Sequence, residues 1–382
     1  GSKRAIVLFH RGHEHSARLQ DVVDKLDLPD FEMFAWDARG HGHSPGERGY
    51  ADNFGVLVKD VDCFIRHISQ THGIAPENIA IVAQSVGAVV AASWVHDYAP
   101  NIRCMVLASP ALRVRLYVPL AIPGLRLLLK LKPVSFITSY VKGKLLTHDA
   151  ARAESYNNDA LVSPRIAVNI LVGLYDAATR LIEDAGAIQV PVQFLISGAD
   201  WVVEQPPQHL CFERWGAPVK EKYVFPDFFH DTLNERDSQL ALDKAHDFIL
   251  ARFAANDSRA SLLDADKSGY THQEFEQLAR PLPLLHPKAI FYRMFHGYLR
   301  SVGKLSTGLS LGVATGFDSG STLDYVYRNQ AQGFSPLGRM MDRVYLDSIG
   351  WRGIRARKLN LERLLRTAID DTHRAGKPVR IV

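Results

Sequence analysis

Ile79-Ala-Ile-Val-Ala83-Gln84-Ser85-Val86-Gly87-Ala88 is the stretch that decides the fold. Its first half is a short apolar run rich in the β-branched residues that suit a buried strand. Its continuation, 88–96, is an Ala- and Val-rich helical pattern. Between the two lies small-x-Ser-x-Gly. A turn that carries a strand straight into a helix strains the serine backbone and lifts its hydroxyl above the sheet, so the positions two before and two after must be small. Ala83 and Gly87 meet that demand, with alanine standing where glycine is usual. A hydroxyl at a helix N-terminus also suits a reaction in which negative charge develops. Ser85 is therefore a candidate nucleophile.

Around this stretch, residues 5–9, 31–36, 79–82, 104–108, 192–196 and 222–225 read as strands with helical patterns between them. Alternating strands and helices with continuous apolar strand runs predict a mostly parallel sheet covered on both faces. Between Pro110 and Pro191 the rhythm breaks into a long, mostly helical stretch that exceeds an ordinary connection, which predicts an inserted helical cap at about 110–190. Its first part, 114–132, mixes apolar residues with Arg115, Arg126, Lys130 and Lys132, next to Arg113. Such a basic amphipathic segment either lies on a lipid surface or packs on the core.

Two further loops supply partners for Ser85. The strand 192–196 runs into Ser197-Gly198-Ala199-Asp200, and the strand 222–225 is followed by Phe229-His230-Asp231. A serine hydroxyl is a weak nucleophile until a base removes its proton, which an imidazole does near neutral pH. His230 is the expected base and Asp200 the acid that fixes its tautomer. Asp231 is the rival acid, disfavoured because adjacent side chains seldom point at one another. The strand 5–9 leads into His10-Arg11-Gly12-His13-Glu14-His15-Ser16. There the backbone N–H of Gly12, or of Arg11, is expected to complete an oxyanion hole with that of Val86. His10, His13, His15, His41 and His43 offer a metal reading, but no acidic or cysteine ligand set with recognisable spacing accompanies them, so no metal is expected.

Residues 10–16 together with Trp36-Asp37-Ala38-Arg39-Gly40-His41-Gly42-His43-Ser44-Pro45-Gly46-Glu47-Arg48 resemble the monoacylglycerol lipase and lysophospholipase branch of the α/β-hydrolases, the serine aminopeptidase-like group. That branch reads HGxGEHSxR, then DxxGHGxSxGxR, then GxSxG, and the resemblance runs from residue 3 to about 253. It implies an α/β-hydrolase fold, the chain order Ser, acid, His, and a small-molecule ester or lipid substrate. Arg11 and His13 stand where the family has glycines. The family also carries a β-hairpin before the strand holding His10; with the opening Gly1-Ser2 in place of a methionine, this leads us to expect a preceding segment. Thr315-Gly-Phe-Asp318 through Arg328, with 349–357, resembles the junction of bacterial fusions that join such a hydrolase to a class I S-adenosylmethionine methyltransferase. Residues 378–382 would then begin that domain's first strand, before the glycine-rich cofactor loop. Neither a cofactor nor methyl transfer is therefore expected here.

Composition agrees with this division. With 47% apolar and 23% charged residues the chain is an ordinary globular one rather than disordered or fibrous. A formal charge of +4 gives no case for nucleic acid. The charge is uneven, with 19 basic against 12 acidic residues from Ala254 onward. We expect a hydrolase domain over 1–253 and, over 254–382, a mainly helical extension leading to a truncated methyltransferase-like domain. Its last helix is expected to be capped by Asn360, to carry Leu361, Leu364 and Leu365 on its apolar stripe, and to stop at Gly376. Asp264, Asp266 and Ser268 copy the first half of an EF-hand loop, but Glu274 stands one position early for the bidentate ligand, which favours a helix-capping turn over calcium. Cys63, Cys104 and Cys211 lack CxxC spacing and read as buried thiols in a reducing, cytoplasmic setting, and the lipid-surface reading of 114–132 would add peripheral contact with the inner membrane. A thioesterase, or a non-catalytic scaffold for the attached methyltransferase, are the alternatives to an ester hydrolase.

Overall fold

The apolar runs become six strands in one wholly parallel sheet, in the order β2-β1-β3-β4-β7-β8. The structure is a computed structural model that describes residues 3–255, 267 and 269–380. Along the first unit, 1–277, the order is β1 (Ala5–Phe9), α1 (Gln20–Leu26), β2 (Glu32–Ala35), α2 (Phe54–His72), β3 (Ile79–Gln84), α3 (Val86–Tyr98) and β4 (Cys104–Ala108). After an insertion come β7 (Val192–Ser197), α7 (Gln205–Arg214), β8 (Lys220–Phe225) and α8 (Gln239–Ala254). No strand bound differs from the sequence expectation by more than two residues.

Strand side chains alternate between faces, and the core divides accordingly. Ala5, Val7 and Phe9 face a layer built from α2, α3 and α7, while Ile6 and Leu8 face α1 and α8. Because both faces are covered, β1, β3 and β4 are buried at every residue. Helix α3 starts immediately above the sheet and is buried at nine consecutive positions from Gly87 to Val95, which explains its Ala- and Val-rich composition.

The insertion between β4 and β7 contains α4 (Ala121–Leu131), β5 (Phe136–Thr138), α5 (Ala150–Asn158), β6 (Arg165–Ala167) and α6 (Val168–Asp184). Two features depart from a purely helical cap. Strands β5 and β6 pair antiparallel, Phe136 with Ala167 and Thr138 with Arg165; at three residues each they are too short to show an alternating pattern. Helix α6 packs on α3 as part of the main helical layer. Helix α4 divides its apolar face. Ile122 and Leu125 pack against the core, whereas Leu120, Leu127 and Leu131 are exposed.

The second unit, 278–382, begins within α9 (Gly269–Ala279) and contains α10 (Pro287–Ser301), α11 (Thr307–Thr315), α12 (Gly320–Arg328), α13 (Pro336–Leu346) and α14 (Ile349–Arg374). Tyr325, Val326 and Leu346 form its small core. The buried Asp342 accepts hydrogen bonds from Ser306 Oγ (2.6 Å), Gly308 N (2.7 Å), Gln332 N (2.9 Å) and Tyr325 OH (2.5 Å), tying α11, α12 and α13 together. The expected start of the last helix is corrected: α14 begins at Ile349 after Ser348, and Asn360 lies inside it. Trp351 and Ile354 pack on the small core, and this tertiary contact holds helical turns that the capping signal at Asn360 would have excluded. Gly376, at φ +66°, follows the helix end.

Residues 377–380 form no strand, and 381–382 lie outside the described residues, as do Asp264, Asp266 and Ser268 of the EF-hand-like stretch. Cys104 and Cys211 are buried but Cys63 is exposed, which corrects the reading of three buried thiols. It sits off the stripe Phe54, Leu57, Val58, Val61, Ile65, Ile68 by which α2 meets the core. No described helix is long and apolar enough to cross a membrane.

Candidate active site

The loops that follow β1, β3, β7 and β8 all leave the same edge of the sheet, and each carries one of the residues singled out from the sequence. Ser85 occupies the turn between β3 and α3 at φ +54°, ψ −118°, a region that costs a non-glycine residue about 1–3 kcal/mol. The turn is held by Ser85 N–H donating to Ala108 O at 2.9 Å. Gly87 is required there: a Cβ on it would stand 2.4 Å from His10 O and 2.9 Å from Phe9 O. The first turn of α3 therefore presses directly on the end of β1.

His230 Nε2 lies 2.8 Å from Ser85 Oγ, and His230 Nδ1 lies 2.8 Å from Asp200 Oδ2. All three residues are buried. A carboxylate can only accept, so Nδ1 carries the proton and Nε2 is the acceptor for the Ser85 hydroxyl. The other oxygen of Asp200 accepts from Val202 N (2.7 Å) and Val203 N (2.9 Å). The carboxylate is thus aimed by its own loop.

On the opposite side of Ser85, Val86 is the first residue of α3, a position whose N–H has no partner within the helix. Gly12 lies against it, since a Cβ on Gly12 would stand 3.1 Å from Val86 Cγ2. The Arg11–Gly12 peptide is pinned through its oxygen. His10 Nδ1 donates to Arg11 O at 2.7 Å, while His10 Nε2 accepts from Ala38 N at 3.1 Å. In a planar trans peptide the N–H points opposite to the C=O, so fixing Arg11 O fixes the direction of the Gly12 N–H. Of the two donors left open by the sequence, the pinned N–H is that of Gly12. Burial, then the neighbouring His41, push His10 down to about 3, so its ring stays neutral in this tautomer.

The glycine-rich segment after β2 supports this loop. Asp37 accepts from Ser16 N and from His43 N, both at 2.7 Å. Gly42, at φ +50°, leaves room for that carboxylate, because a Cβ there would stand 2.3 Å from Asp37 Cγ. The five histidines of these loops serve different partners: His15 Nε2 meets Asp159 (2.9 Å) and His41 Nδ1 meets Arg39 O (3.0 Å). Among the described residues no group of three His, Cys, Asp or Glu side chains is disposed to hold a metal ion.

Two residues carry more than the sequence reading assigned them. Arg11 is buried, with Nη2 2.6 Å from Glu14 Oε1 and 3.2 Å from Asp231 Oδ2. Asp231 turns away from the imidazole of its neighbour and faces Arg11 and Arg152, and its other oxygen accepts from Gln84 Nε2 at 3.1 Å. Burial raises its carboxyl, but Arg11 and then Arg152 outweigh this and hold it below the usual carboxylate range. A charged residue in place of a family glycine, and a second acid beside the histidine, were the signals available.

A cavity opens over Ser85, His230, Gly12 and Val86, with Val114, Leu116, Ile137, Leu171, Leu174 and Val202 among its apolar walls. Most of these come from the insertion. An apolar lining around a few convergent polar groups is that of a small-molecule site.

Residues 1–237 match the family model described as Serine aminopeptidase, S33. The chain belongs to that family. A second model, described as Putative methyltransferase, matches residues 245–382 of this S33 hydrolase. Uncharacterized protein YnbC of Escherichia coli (strain K12) is 49% identical over 383 residues; the alignment covers all of this chain and 65% of that protein, so the chain spans less than two thirds of it. A monoacylglycerol lipase of Mycolicibacterium smegmatis is 22% identical over 64% of this chain and 88% of its own length. Among solved structures, the Paleococcus ferrophilus monoacylglycerol lipase superposes with a TM-score of 0.60 at 23% identity, covering 66% of this chain and 96% of that one. At that identity the likeness shows the fold alone, the α/β-hydrolase fold.

The match over 245–382 raises the question of S-adenosylmethionine. Class I enzymes hold that cofactor at the C-terminal ends of parallel strands. Among the described residues of the second unit there are only helices and turns, apart from an isolated bridge between Ser306 and Gly333. These residues do not form such a cradle, and no step is assigned to the cofactor.

Proposed function

We propose that this S33 hydrolase cleaves carboxylic esters through an acyl-serine intermediate, with Ser85 as nucleophile, His230 as general base and Asp200 orienting it. The observation that carries the reading is the unbroken series of two 2.8 Å contacts, Ser85 Oγ to His230 Nε2 and His230 Nδ1 to Asp200 Oδ2. As Ser85 Oγ attacks the ester carbonyl, its proton passes to Nε2, and the N–H groups of Gly12 and Val86 receive the developing oxyanion. The imidazolium then protonates the departing alcohol. Water, deprotonated by the same imidazole, attacks the acyl-serine and releases the acid.

The apolar cavity walls suit an acyl chain, and the relatives named as monoacylglycerol lipases favour a monoacylglycerol or lysophospholipid as the substrate. The exposed Leu120, Leu127 and Leu131 beside Arg126, Lys130 and Lys132 supply an apolar edge with a basic rim for peripheral contact with lipid.

Labelling with a fluorophosphonate probe tests the nucleophile: wild type labels and Ser85→Ala does not. With p-nitrophenyl esters, kcat/KM is expected to rise from acetyl to longer acyl chains. Preference for acetyl would remove the lipid substrate while leaving the nucleophile intact.

A further inference from the structure

The residue next to each proposed functional residue meets the others in one buried cluster. Gln84 precedes Ser85, Arg11 precedes Gly12 and Asp231 follows His230. Gln84 Nε2 donates both to Asp231 Oδ1 and to His230 O, each at 3.1 Å. Arg11 Nη2 reaches Asp231 Oδ2 at 3.2 Å, and its guanidinium carbon lies 5.2 Å from the ring centroid of Tyr156 on α5. Arg11 and Asp231 are 3% and 0% exposed, so their attraction is weakly screened. The remaining charges of the cluster are accounted for. Glu14 is shared by Arg11 and Arg18, Arg18 also meets Asp159, and Arg152 spans Asp231 and Asp21.

We infer that Arg11 and Asp231 are a positioning pair that clamps the loop bearing the Gly12 N–H onto the loop bearing His230. This deepens the Ser85 hydrolase reading and rests on it. An oxyanion donor must sit within a few tenths of an ångström of the oxygen it stabilises, and on a loop such placement depends on what holds the loop from behind. His10 sets the direction of the Gly12 N–H; the Arg11 side chain, one residue away, sets its distance from the proton-transfer side of the site. Where glycines would leave the segment pliant, the ion pair makes it rigid. Tyr156 and Arg152 on α5 extend the clamp to the inserted segment.

The test uses the whole chain in four variants: Arg11→Met, Asp231→Asn, the double variant, and Ser85→Ala as control. Each is assayed for kcat and KM with p-nitrophenyl butyrate, for inhibition by a boronic acid that forms a tetrahedral adduct, and for Tm. Single variants are expected to lose about 10²-fold in kcat, the scale of one oxyanion donor. Boronate affinity should fall in parallel, with KM within about threefold. Removing one charge leaves Arg11 with Glu14 alone or Asp231 with Arg152 alone, unbalances the buried cluster and lowers Tm, whereas removing both restores part of it. The double variant is therefore decisive even if the single ones do not fold. It is expected to regain Tm without regaining kcat or boronate affinity, and to lose no more kcat than the worse single variant. Recovery of kcat together with Tm would reduce the pair to a structural one and overturn the inference. So would losses that multiply. An active Ser85→Ala control would instead sink the underlying hydrolase reading, a result distinguishable from either.

Discussion

On one side of Ser85, the carboxylate of Asp200 is placed by short hydrogen bonds from its own loop and in turn holds the imidazole of His230. On the other side, the Arg11–Gly12 peptide is held by a neutral histidine and by a buried lattice of Arg11, Glu14, Arg18, Asp231 and Arg152. The second side includes Arg11, which stands where the family pattern has a glycine. The contrast teaches that the proposed proton path is set by hydrogen bonds local to one loop, whereas the proposed oxyanion loop is held by ion pairs that reach across loops.

The largest effect that sharpens this contrast is expected from Asp200→Asn. An amide donates where the carboxylate accepts, which turns the imidazole to the wrong tautomer. Loss of about 10⁴-fold in kcat is expected, with the fold kept. Residual activity within tenfold of wild type would show that Asp231 can take over as the acid, and the two sides would no longer be separable.

Much of the first side was legible in the sequence because each of its residues sits at a strand end with a local signature: a small-x-Ser-x-Gly turn, an acid after 192–196, a histidine after 222–225. The sheet was legible for the same reason, since strands buried on both faces are continuous apolar runs. The second side was legible only as departures. Arg11 and Asp231 are 220 positions apart, and no periodicity links a guanidinium to the carboxylate it meets across two loops. The β5–β6 pair was too short to signal itself. At α14 a good capping residue, Asn360, was overridden by Trp351 and Ile354, whose packing is a tertiary fact.

A smaller effect concerns acid. Burial and then His41 push His13 down to about 4, and His10 lies at about 3. Between those values and the ordinary 6.5, the unfolded chain binds protons that the folded chain refuses, so stability rises with pH across that window. It is complete above about 6.5 and is lost as pH falls through it. Urea midpoints measured from pH 7 to pH 5, above the carboxylate range, should decline. The decline should be shallower in His13→Asn, whose side chain tolerates the left-handed backbone at φ +70°. An equal slope in the variant would mean that His13 does not contribute.

The smallest effect lies at the rim. Replacing Leu127 and Leu131 with Glu is expected to lower co-sedimentation with anionic vesicles several-fold while leaving hydrolysis of a soluble ester unchanged. If vesicle binding is unaltered, α4 is a packing helix only.

The positive φ of Ser85 has a consequence for how this protein would respond to selection. Glycine at that position would relax the strand-to-helix turn and favour the folded chain, while removing the hydroxyl on which the proposed chemistry depends. Thermal tolerance and turnover would thus pull in opposite directions at a single residue, and a search rewarding only heat resistance could discard the proposed nucleophile.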